Sequence, residues 1–327
     1  DALKTAQFAL GELGVPLSHA VAEYVAAKRL MPNHPLSEAA QHWAKDHARA
    51  PSVTFIQVAG EFLTQQHRAL SERSYREEKI RIGRLQSVLD VNMDDLSKSH
   101  IERFFSGVLT DHSSKTRNHY RQTLRQLLLL AVRKDYLSRG HRLGEVLVNE
   151  RTYEAAPSIL QPPEFKQLLS SSPPALLPFI AIGGFAGLRR AEILRLSWSD
   201  VWRTEGDEAN PHGYIEVAAT KAKTRQRRLV PIQGALVAWL SPYAGTRGLV
   251  WKGKDTAQRN AYERLKAQCN IRGANLLRHS YASYRLAATA NAARVALELG
   301  TSQEKLFRNY NKLVTTKQAT SWFNIHP

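Results

Sequence analysis

Apolar residues recur at helical spacing through most of the chain, and one stretch alternates as a β-strand does. Residues 53–140 keep the helical spacing throughout, and shorter helical patterns precede them in residues 1–50. The exception is YIEVAATKAKTRQRRLVPI at 214–232, where alternating apolar and polar residues indicate a β-hairpin. The sequence therefore predicts a mainly α protein with a small β-sheet, all-α in its N-terminal half and mixed α+β in its C-terminal half.

The same change of pattern predicts how the chain is divided. A chain of 327 residues is long enough for two domains, each with its own core. We predict an N-terminal helical segment at 1–50, a helical domain at 51–150, a linker from Arg151 to Pro163 and a second domain at 164–327. The linker lies where the helical pattern breaks up.

The charge of the chain points to a polyanionic partner. Its formal net charge is +17, and 43% of its residues are hydrophobic, as in a globular protein. Nucleic acid is the leading candidate, because neutralising phosphates releases counterions. An anionic membrane surface is the competitor, but no apolar run reaches the ~18 residues that a bilayer span needs. We expect a nucleic acid as partner and no membrane.

Cysteine and histidine usage gives no sign of a metal or a cofactor. Cys269 is the single cysteine, so an intramolecular disulfide is excluded, and the twelve histidines are scattered without an HExxH pattern. We therefore predict neither a metal nor another cofactor. The sequence starts at Asp1 without an initiator Met or an apolar signal segment, so we expect an intracellular protein and leave open an upstream segment.

Two basic helices mark the predicted domain at 51–150 as a DNA-binding domain. Arg117, Arg121 and Arg125 recur every four residues opposite a leucine stripe, and a second basic helix covers 71–85. One such stripe is as well explained by a solvated helix face, but two in a strongly basic chain favour phosphate contact. The predicted DNA contacts in these helices are Arg73, Ser74, Arg76, Lys115, Thr116, Arg117, Asn118 and Arg121.

The segment FAGLRRAEILRLSW at 185–198 raises a different question. If it is one helix, Arg189 shares a face with Ile193 and Leu196 and needs an anionic partner there. Glu192 at i+3 or a bound phosphate would serve. Arg190 is one position round the helix, where a surface or DNA-backbone contact is expected.

Three further segments are each weak evidence when taken separately. The run KAKTRQRR at 221–228 is typical of an exposed, phosphate-facing loop, in which Lys221 and Arg225 are predicted DNA contacts, but a solvated hairpin also fits it. Arg278 and His279 enter a predicted helix, where a half-buried pair is the ordinary explanation. Tyr310 follows Gly300 by ten residues, and a tyrosine there is usually just packed.

The order of these segments resembles the tyrosine recombinase (phage integrase) family over about residues 160–327. The family's motifs are similar to Gly187-Leu188-Arg189-Arg190-Ala191-Glu192, Lys223 before Arg228-Leu229-Val230-Pro231, Leu277-Arg278-His279, Leu299-Gly300-Thr301 and Tyr310. Residues 53–140, with Thr116-Arg117-Asn118, resemble its core-binding domain. The family usually has His where this chain has Asn275, and His or Trp where it has Thr301. Both replacements can hydrogen-bond a phosphate but cannot carry a proton as imidazolium does.

The resemblance implies a site-specific recombinase that cleaves and rejoins DNA through a 3′-phosphotyrosyl link, without metal or ATP. Arg189 and Arg278 would bind the phosphate, with Asn275 and Thr301 as neutral donors. Lys223, with Lys221 as the alternative, would be the general acid, and Tyr310 the nucleophile. Glu192 would orient Arg189. We interpret His279 as structural, with support of Arg278 as the alternative.

The resemblance also implies partners and surroundings. These are an inverted-repeat-like core site on the DNA, a homotetramer in the synapse, a monomer in solution and a cytoplasmic, nucleoid-associated protein of bacterial or phage origin. The tail after Tyr310 is expected to pack on its own domain rather than on a neighbouring protomer. Two other hypotheses stay open: a catalytically weak or inactive DNA-binding member of the fold, which Asn275 and Thr301 favour, and a type IB topoisomerase, which the separate basic domain disfavours.

Overall fold

The computed structural model describes residues 2–46, 53–138, 140–152, 156–202, 205–220, 226–310 and 313–327. The chain forms two compact units, residues 1–153 and 154–327. It is 62% helical and carries a two-stranded antiparallel sheet, which confirms the predicted mainly α class with a small sheet. None of the helices in the described part of the chain combines the length and the apolar character needed to cross a membrane.

In the described residues of the first unit, the regular secondary structure is helical. Its helices are α1 (Ala2–Glu12), α2 (Leu17–Leu30), α3 (Leu36–Asp46), α4 (Phe55–Ala69), α5 (Glu72–Gln86), α6 (Lys98–Arg103) and α7 (Ser114–Arg133), with a π-helical segment at Phe104–Val108. The core lies between α4, α5 and α7, whose apolar faces bury side chains such as Phe62, Ile82 and Leu124. Ser97 is the residue directly before α6.

The second unit is built around one apolar helix. Its helices are α8 (Pro162–Ser170), α9 (Leu177–Ala186), α10 (Arg190–Ile193), α11 (Trp198–Val201), α12 (Gly234–Leu240), α13 (Asp255–Gln268), α14 (Leu276–Thr289), α15 (Ala292–Leu299), α16 (Gln303–Tyr310) and α17 (Thr316–Phe323). Residues 178–186 of α9 are all buried, as expected of a helix that is apolar on every side. At Gly184 a Cβ would lie 2.1 Å from the Phe165 ring, so the glycine lets α8 approach α9 closely.

The predicted β-hairpin is confirmed. Strand β1 (Tyr214–Val217) pairs antiparallel with β2 (Arg228–Pro231), with Tyr214 opposite Pro231 and Val217 opposite Arg228. Alternation buries Ile215, Val217 and Val230 in the core of the second unit. The connecting residues 221–225 lie outside the described residues.

The expectation of one continuous helix through FAGLRRAEILRL is wrong. Helix α9 ends at Ala186, and Gly187 takes a left-handed conformation with φ of 64°. A Cβ there would lie 2.2 Å from Cδ1 of Tyr281, so glycine is required by both backbone and space. Arg189 is therefore not on a buried helical stripe, but is the extended residue just before the short helix α10.

The tail packs on its own unit, as predicted. Trp322 of α17 is fully buried and stacks on Phe165 at 4.1 Å and on Tyr284 at 4.4 Å between ring centroids. Its indole N–H donates to the carbonyl of Gly184 at 3.1 Å. Aromatic stacking and this hydrogen bond fix α17 against α8, α9 and α14.

Candidate active site

Two helices of the second unit end side by side in glycine, and their last carbonyls accept hydrogen bonds from arginines. Gly187 directly follows α9 and Gly300 directly follows α15, and both are left-handed. Arg278 donates to the carbonyls of Gly187 (2.7 Å) and Leu299 (2.8 Å), so it joins the two ends. Helix C-termini favour cations because their unpaired carbonyls carry partial negative charge.

Arg189 and Arg228 meet the same helix ends and share one carboxylate. Arg189 donates to the carbonyl of Gly300 (2.7 Å) and to Oε1 of Glu192 (3.0 Å). Arg228 donates to the carbonyl of Glu298 (2.9 Å) and to Oε2 of Glu192 (2.6 Å). The expected i+3 pair of Arg189 with Glu192 is confirmed, and Glu192, which is 1% exposed, holds two arginines in place.

The cluster carries more positive than negative charge. Arg189, Arg228 and Arg278 supply three positive charges, and Glu192 supplies one negative charge. Burial by itself would raise the pKa of Glu192, but hydrogen bonds from Arg228 and Arg189 outweigh it and hold that pKa below its usual value. Burial, together with the charge of Arg189, lowers the pKa of Arg278 to about 9, so Arg278 still keeps its proton at neutral pH. Such a half-buried cationic cluster suits an anion with several acceptor oxygens.

Tyr310 lies beside this cluster. It is the last residue of α16, and its hydroxyl lies 2.6 Å from Nδ1 of His279, the neighbour of Arg278 on α14. Burial raises the pKa of Tyr310, and the charge of Arg278 partly offsets this effect. The structure thus brings together Arg189, Arg278 and Tyr310, which are separated by up to 121 positions in the sequence.

Of the remaining predicted site residues, the structure describes Asn275 and Thr301. Asn275 is the exposed residue before α14, with φ of 54°, and its side chain does not cap that helix. Thr301 is half-buried directly after Gly300, and its N–H donates to the carbonyl of Ala296 at 3.0 Å. The predicted general acid Lys223, its alternative Lys221 and the predicted DNA contact Arg225 lie outside the described residues.

Arg190, for which a surface or DNA-backbone contact is expected, contacts α13 in the described structure. Its Nε donates to Oε1 of Gln258 at 2.6 Å, and its Nη2 donates to the carbonyl of Asp255 at 2.7 Å. The side chain is half-buried against α13, because the break at Gly187 turns α10 relative to α9.

In the first unit, the predicted DNA contacts differ in their exposure and in the groups that they bind. Arg73 and Arg76 are exposed on α5 and pair with carboxylates one turn away, at 3.2 and 3.7 Å. Ser74 is half-buried and accepts a hydrogen bond from Ser71, which caps the same helix. At the start of α7, Lys115 is exposed, and the backbone N–H of Thr116 donates to the capping residue Ser113.

Arg117, Asn118 and Arg121 all contact Glu150. Arg117 and Arg121 donate to its carboxylate at 2.5 and 2.6 Å, and the Asn118 amide exchanges two 2.8 Å hydrogen bonds with its backbone. The hydrogen bonds from the two arginines lower the pKa of Glu150 to about 2. These guanidinium groups already have an intramolecular anion in the described structure.

Solved structures of other proteins share the fold of this chain at low sequence identity. A lambda integrase dimer bound to a COC′ core site matches 80% of this chain and 98% of its own, with a TM-score of 0.66 and 14% identity. The Tn1549 transposon integrase in complex with a circular intermediate DNA matches 83% and 98%, with a TM-score of 0.61 and 16% identity. XerH recombinase bound to a palindromic difH substrate matches 77% and 91%, with a TM-score of 0.59 and 15% identity. The chain has the fold of the tyrosine recombinases.

The tyrosine-recombinase fold was predicted from the sequence, and at this level the prediction is confirmed. No family model and no curated protein matches the sequence. Within the described ranges, no three His, Cys, Asp or Glu side chains come together as a metal site would require.

Two residues at the site make contacts that were not predicted from the sequence. Arg228 was part of a quoted motif, and strand alternation with Val230 was a signal that it faces inward. His279 was interpreted as structural, yet it is hydrogen-bonded to the hydroxyl of Tyr310. The position of His279 next to Arg278 in the sequence does not predict a contact with Tyr310, which is 31 positions away.

Proposed function

We propose that the protein is a site-specific DNA recombinase that cleaves and rejoins DNA through a 3′-phosphotyrosyl intermediate. The observation that carries the proposal is the cluster of Arg189, Arg228 and Arg278 around two helix ends, with the Tyr310 hydroxyl beside it. Fold similarity by itself does not establish an activity, because one fold can host many functions. The proposal therefore depends on the chemistry of these side chains.

The proposed roles of the site residues follow from their charges. Phosphoryl transfer depends mainly on positioning and on stabilising negative charge at the non-bridging oxygens. Arg189 and Arg278 supply forked donors for those oxygens, and Glu192 orients Arg189. Asn275 and Thr301 add neutral donors from the start of α14 and the end of α15. Tyr310 attacks the phosphorus, which conserves the phosphodiester bond energy without ATP.

The proposed partner is double-stranded DNA with an inverted-repeat-like core site. The net charge of +17 supports it, as do the DNA-bound states of the similar proteins. Another similar structure is a lambda integrase tetramer bound to a Holliday junction, and we propose a homotetramer in the synapse of this protein and a monomer in solution. Arg73, Ser74, Arg76, Lys115 and Thr116 are proposed to contact the DNA backbone. For Arg117, Asn118 and Arg121, contact requires that Glu150 be displaced.

A nicked duplex tests the proposed function. The duplex carries the sequence that the protein selects from a randomised library, and a nick near the cleavage point lets the short leaving strand diffuse away. We expect a covalent protein–DNA adduct that resists denaturation and is absent in Tyr310→Phe. A selected site that is bound but never yields an adduct overturns the recombinase proposal and leaves a DNA-binding protein of the same fold.

The same assay tests the proposed general acid. Lys223 is proposed to protonate the leaving 5′-oxygen, since it stands five residues before Arg228. Lys223→Ala is expected to slow adduct formation roughly 100-fold or more, and Lys221→Ala much less. Equal effects of the two substitutions contradict the assignment of Lys223.

A further inference from the structure

We propose that His279 is the group that takes the proton from Tyr310 during cleavage and returns it during rejoining. The inference rests on the proposed function and adds a proton acceptor to it. Asn275, which stands where the related proteins usually have histidine, is a neutral amide and cannot serve as a base. The chain therefore needs another acceptor for the tyrosine proton.

The contact that carries the inference involves the reacting atom itself. The Tyr310 hydroxyl lies 2.6 Å from Nδ1 of His279, within the hydrogen-bond reach that a general base requires. The rings are tilted by 36° with centroids 5.6 Å apart, so the contact is a side-on hydrogen bond rather than a stack. A neutral imidazole with its proton on Nε2 accepts the hydroxyl proton at Nδ1.

Two helices fix this geometry. His279 lies in the first turn of α14, where its backbone N–H donates to the carbonyl of Asn275 at 3.0 Å. Its own carbonyl accepts a hydrogen bond from Ser283 at 3.0 Å. Tyr310 ends α16, which packs against α14, and its ring contacts the small core of Tyr281, Val295 and Leu306. Both partners are thus held by their own helices.

The charged groups around His279 favour the neutral imidazole in the absence of DNA. Burial and the charge of Arg278 lower the pKa of His279. Helix α9 carries no titratable side chain, and on α15 Glu298 accepts hydrogen bonds from both Arg294 and Arg285. On α16, Glu304 and Arg308 pair with each other and Lys305 is exposed, as is Lys317 on α17.

A bound phosphate changes this balance. Its negative charge offsets the charge of Arg278, which is one of the two causes that lower the pKa of His279. The imidazole therefore becomes a stronger base when the scissile phosphate is in place. Tyr310, whose pKa is raised by burial, stays protonated until then.

The proton balance of the step is complete. The Oη–P bond forms as the P–O5′ bond breaks, and the hydroxyl proton of Tyr310 moves to Nδ1 of His279. The leaving O5′ takes its proton from a separate general acid, proposed above as Lys223, and departs as a 5′-hydroxyl. In rejoining, the 5′-hydroxyl attacks phosphorus and gives its proton back to that general acid. The Oη–P bond breaks, and His279 returns its proton to Oη of Tyr310.

The test compares adduct formation by the wild type and His279→Ala on the selected nicked duplex from about pH 6.5 to about pH 8.5, below the pKa of about 9 of Arg278. Loss of a general base is expected to slow the variant by about 100-fold or more near pH 7. The deficit should shrink about tenfold for each pH unit, because hydroxide replaces the missing base for a tyrosine of raised pKa. His326→Ala, which removes an exposed histidine of the same unit, is the matched control and should behave as the wild type.

A second substrate separates His279 from the general acid. A duplex with sulfur in place of the bridging 5′-oxygen has a leaving group that needs no proton, so it bypasses the general acid. Because His279 is proposed as the base, this substrate should not restore the rate of adduct formation in His279→Ala. A deficit of equal size at every pH, full activity of His279→Ala, or rescue by the sulfur substrate each overturns the inference. Absence of any adduct with the wild type contradicts the proposed function instead.

Variants must remain folded for this comparison. A readout independent of cleavage is the titration of the His279 ring, followed by NMR in the full-length wild type and in Tyr310→Phe. Because the hydroxyl donates to neutral Nδ1, its removal should raise the pKa of His279. An unchanged titration means that the hydrogen bond is absent in solution and overturns the inference.

Discussion

At the scale of single residues, the three clustered arginines differ from the surface arginines in how their donors are used. Arg189 and Arg278 bind carbonyls at the ends of α9 and α15, so their planes are fixed before any ligand arrives. Exposed arginines such as Arg73 pair with a carboxylate on their own helix and keep their rotamer freedom. Preorganised donors are worth more to a transition state than mobile ones, because they need not reorganise during the reaction.

Arg189→Lys tests this preorganisation. Lysine keeps the charge but cannot bridge Glu192 and the Gly300 carbonyl as the guanidinium does. We expect roughly 100-fold slower adduct formation, with DNA affinity nearly unchanged. Arg195→Lys, an exposed arginine of the same segment, is the control. A loss of affinity that accounts for the whole effect on rate contradicts a role in the transition state.

Residue-level contacts were predictable only where they are local. The Arg189–Glu192 pair follows from i+3 spacing and was predicted. The bridge from Arg228 to Glu192 and the contact of His279 with Tyr310 join residues 36 and 31 positions apart. Hydrophobic periodicity cannot predict such contacts, because they depend on how β2, α14 and α16 pack in three dimensions.

At the scale of secondary-structure elements, the apolar patterns predicted most helices and the strand pair. The break between α9 and α10 was missed, because an unbroken apolar pattern conceals a glycine with positive φ. That break is what takes Arg189 out of the helix and lets it reach Gly300. A single residue such as Gly187 thus decides the geometry of the site, while the pattern around it predicts only a helix.

The stability that the first unit gains from the contacts between α7 and Glu150 should depend on pH. The pKa of Glu150 is lowered to about 2 by Arg117 and Arg121, so its carboxylate stabilises the fold above its ordinary pKa of 4.5. That stabilisation should be lost as the pH falls from about 4.5 towards 2. We expect Glu150→Gln to lower the Tm by roughly 3–6 °C at pH 7 and to leave it unchanged near pH 2.

Thermal unfolding of both proteins across this pH range checks the expectation. Arg125 binds the nearby carbonyl of Leu147 rather than a carboxylate, so Arg125→Gln provides a control without an acid-dependent partner. A Tm difference between wild type and Glu150→Gln that persists at pH 2 contradicts the assigned role of the carboxylate.

At the scale of the whole molecule, the charge of +17 favours the proposed binding to DNA, which should weaken as the salt concentration rises. Each phosphate contact that is removed should reduce the slope of log K against log salt by about 0.9. Arg73→Gln combined with Arg76→Gln should therefore reduce it by roughly 2. Arg133→Gln, an exposed arginine at the far end of α7, is the control. An unchanged slope in the double variant contradicts the proposed contacts of α5.

Tyr310 is proposed to form the covalent bond to DNA within the arginine cluster. Peptide mapping of the trapped adduct by mass spectrometry tests it most directly. We expect a nucleotide linked through its 3′-phosphate to the peptide that contains Tyr310, and a free 5′-hydroxyl on the other strand end. An adduct on any other residue, or a link through a 5′-phosphate, would contradict the account.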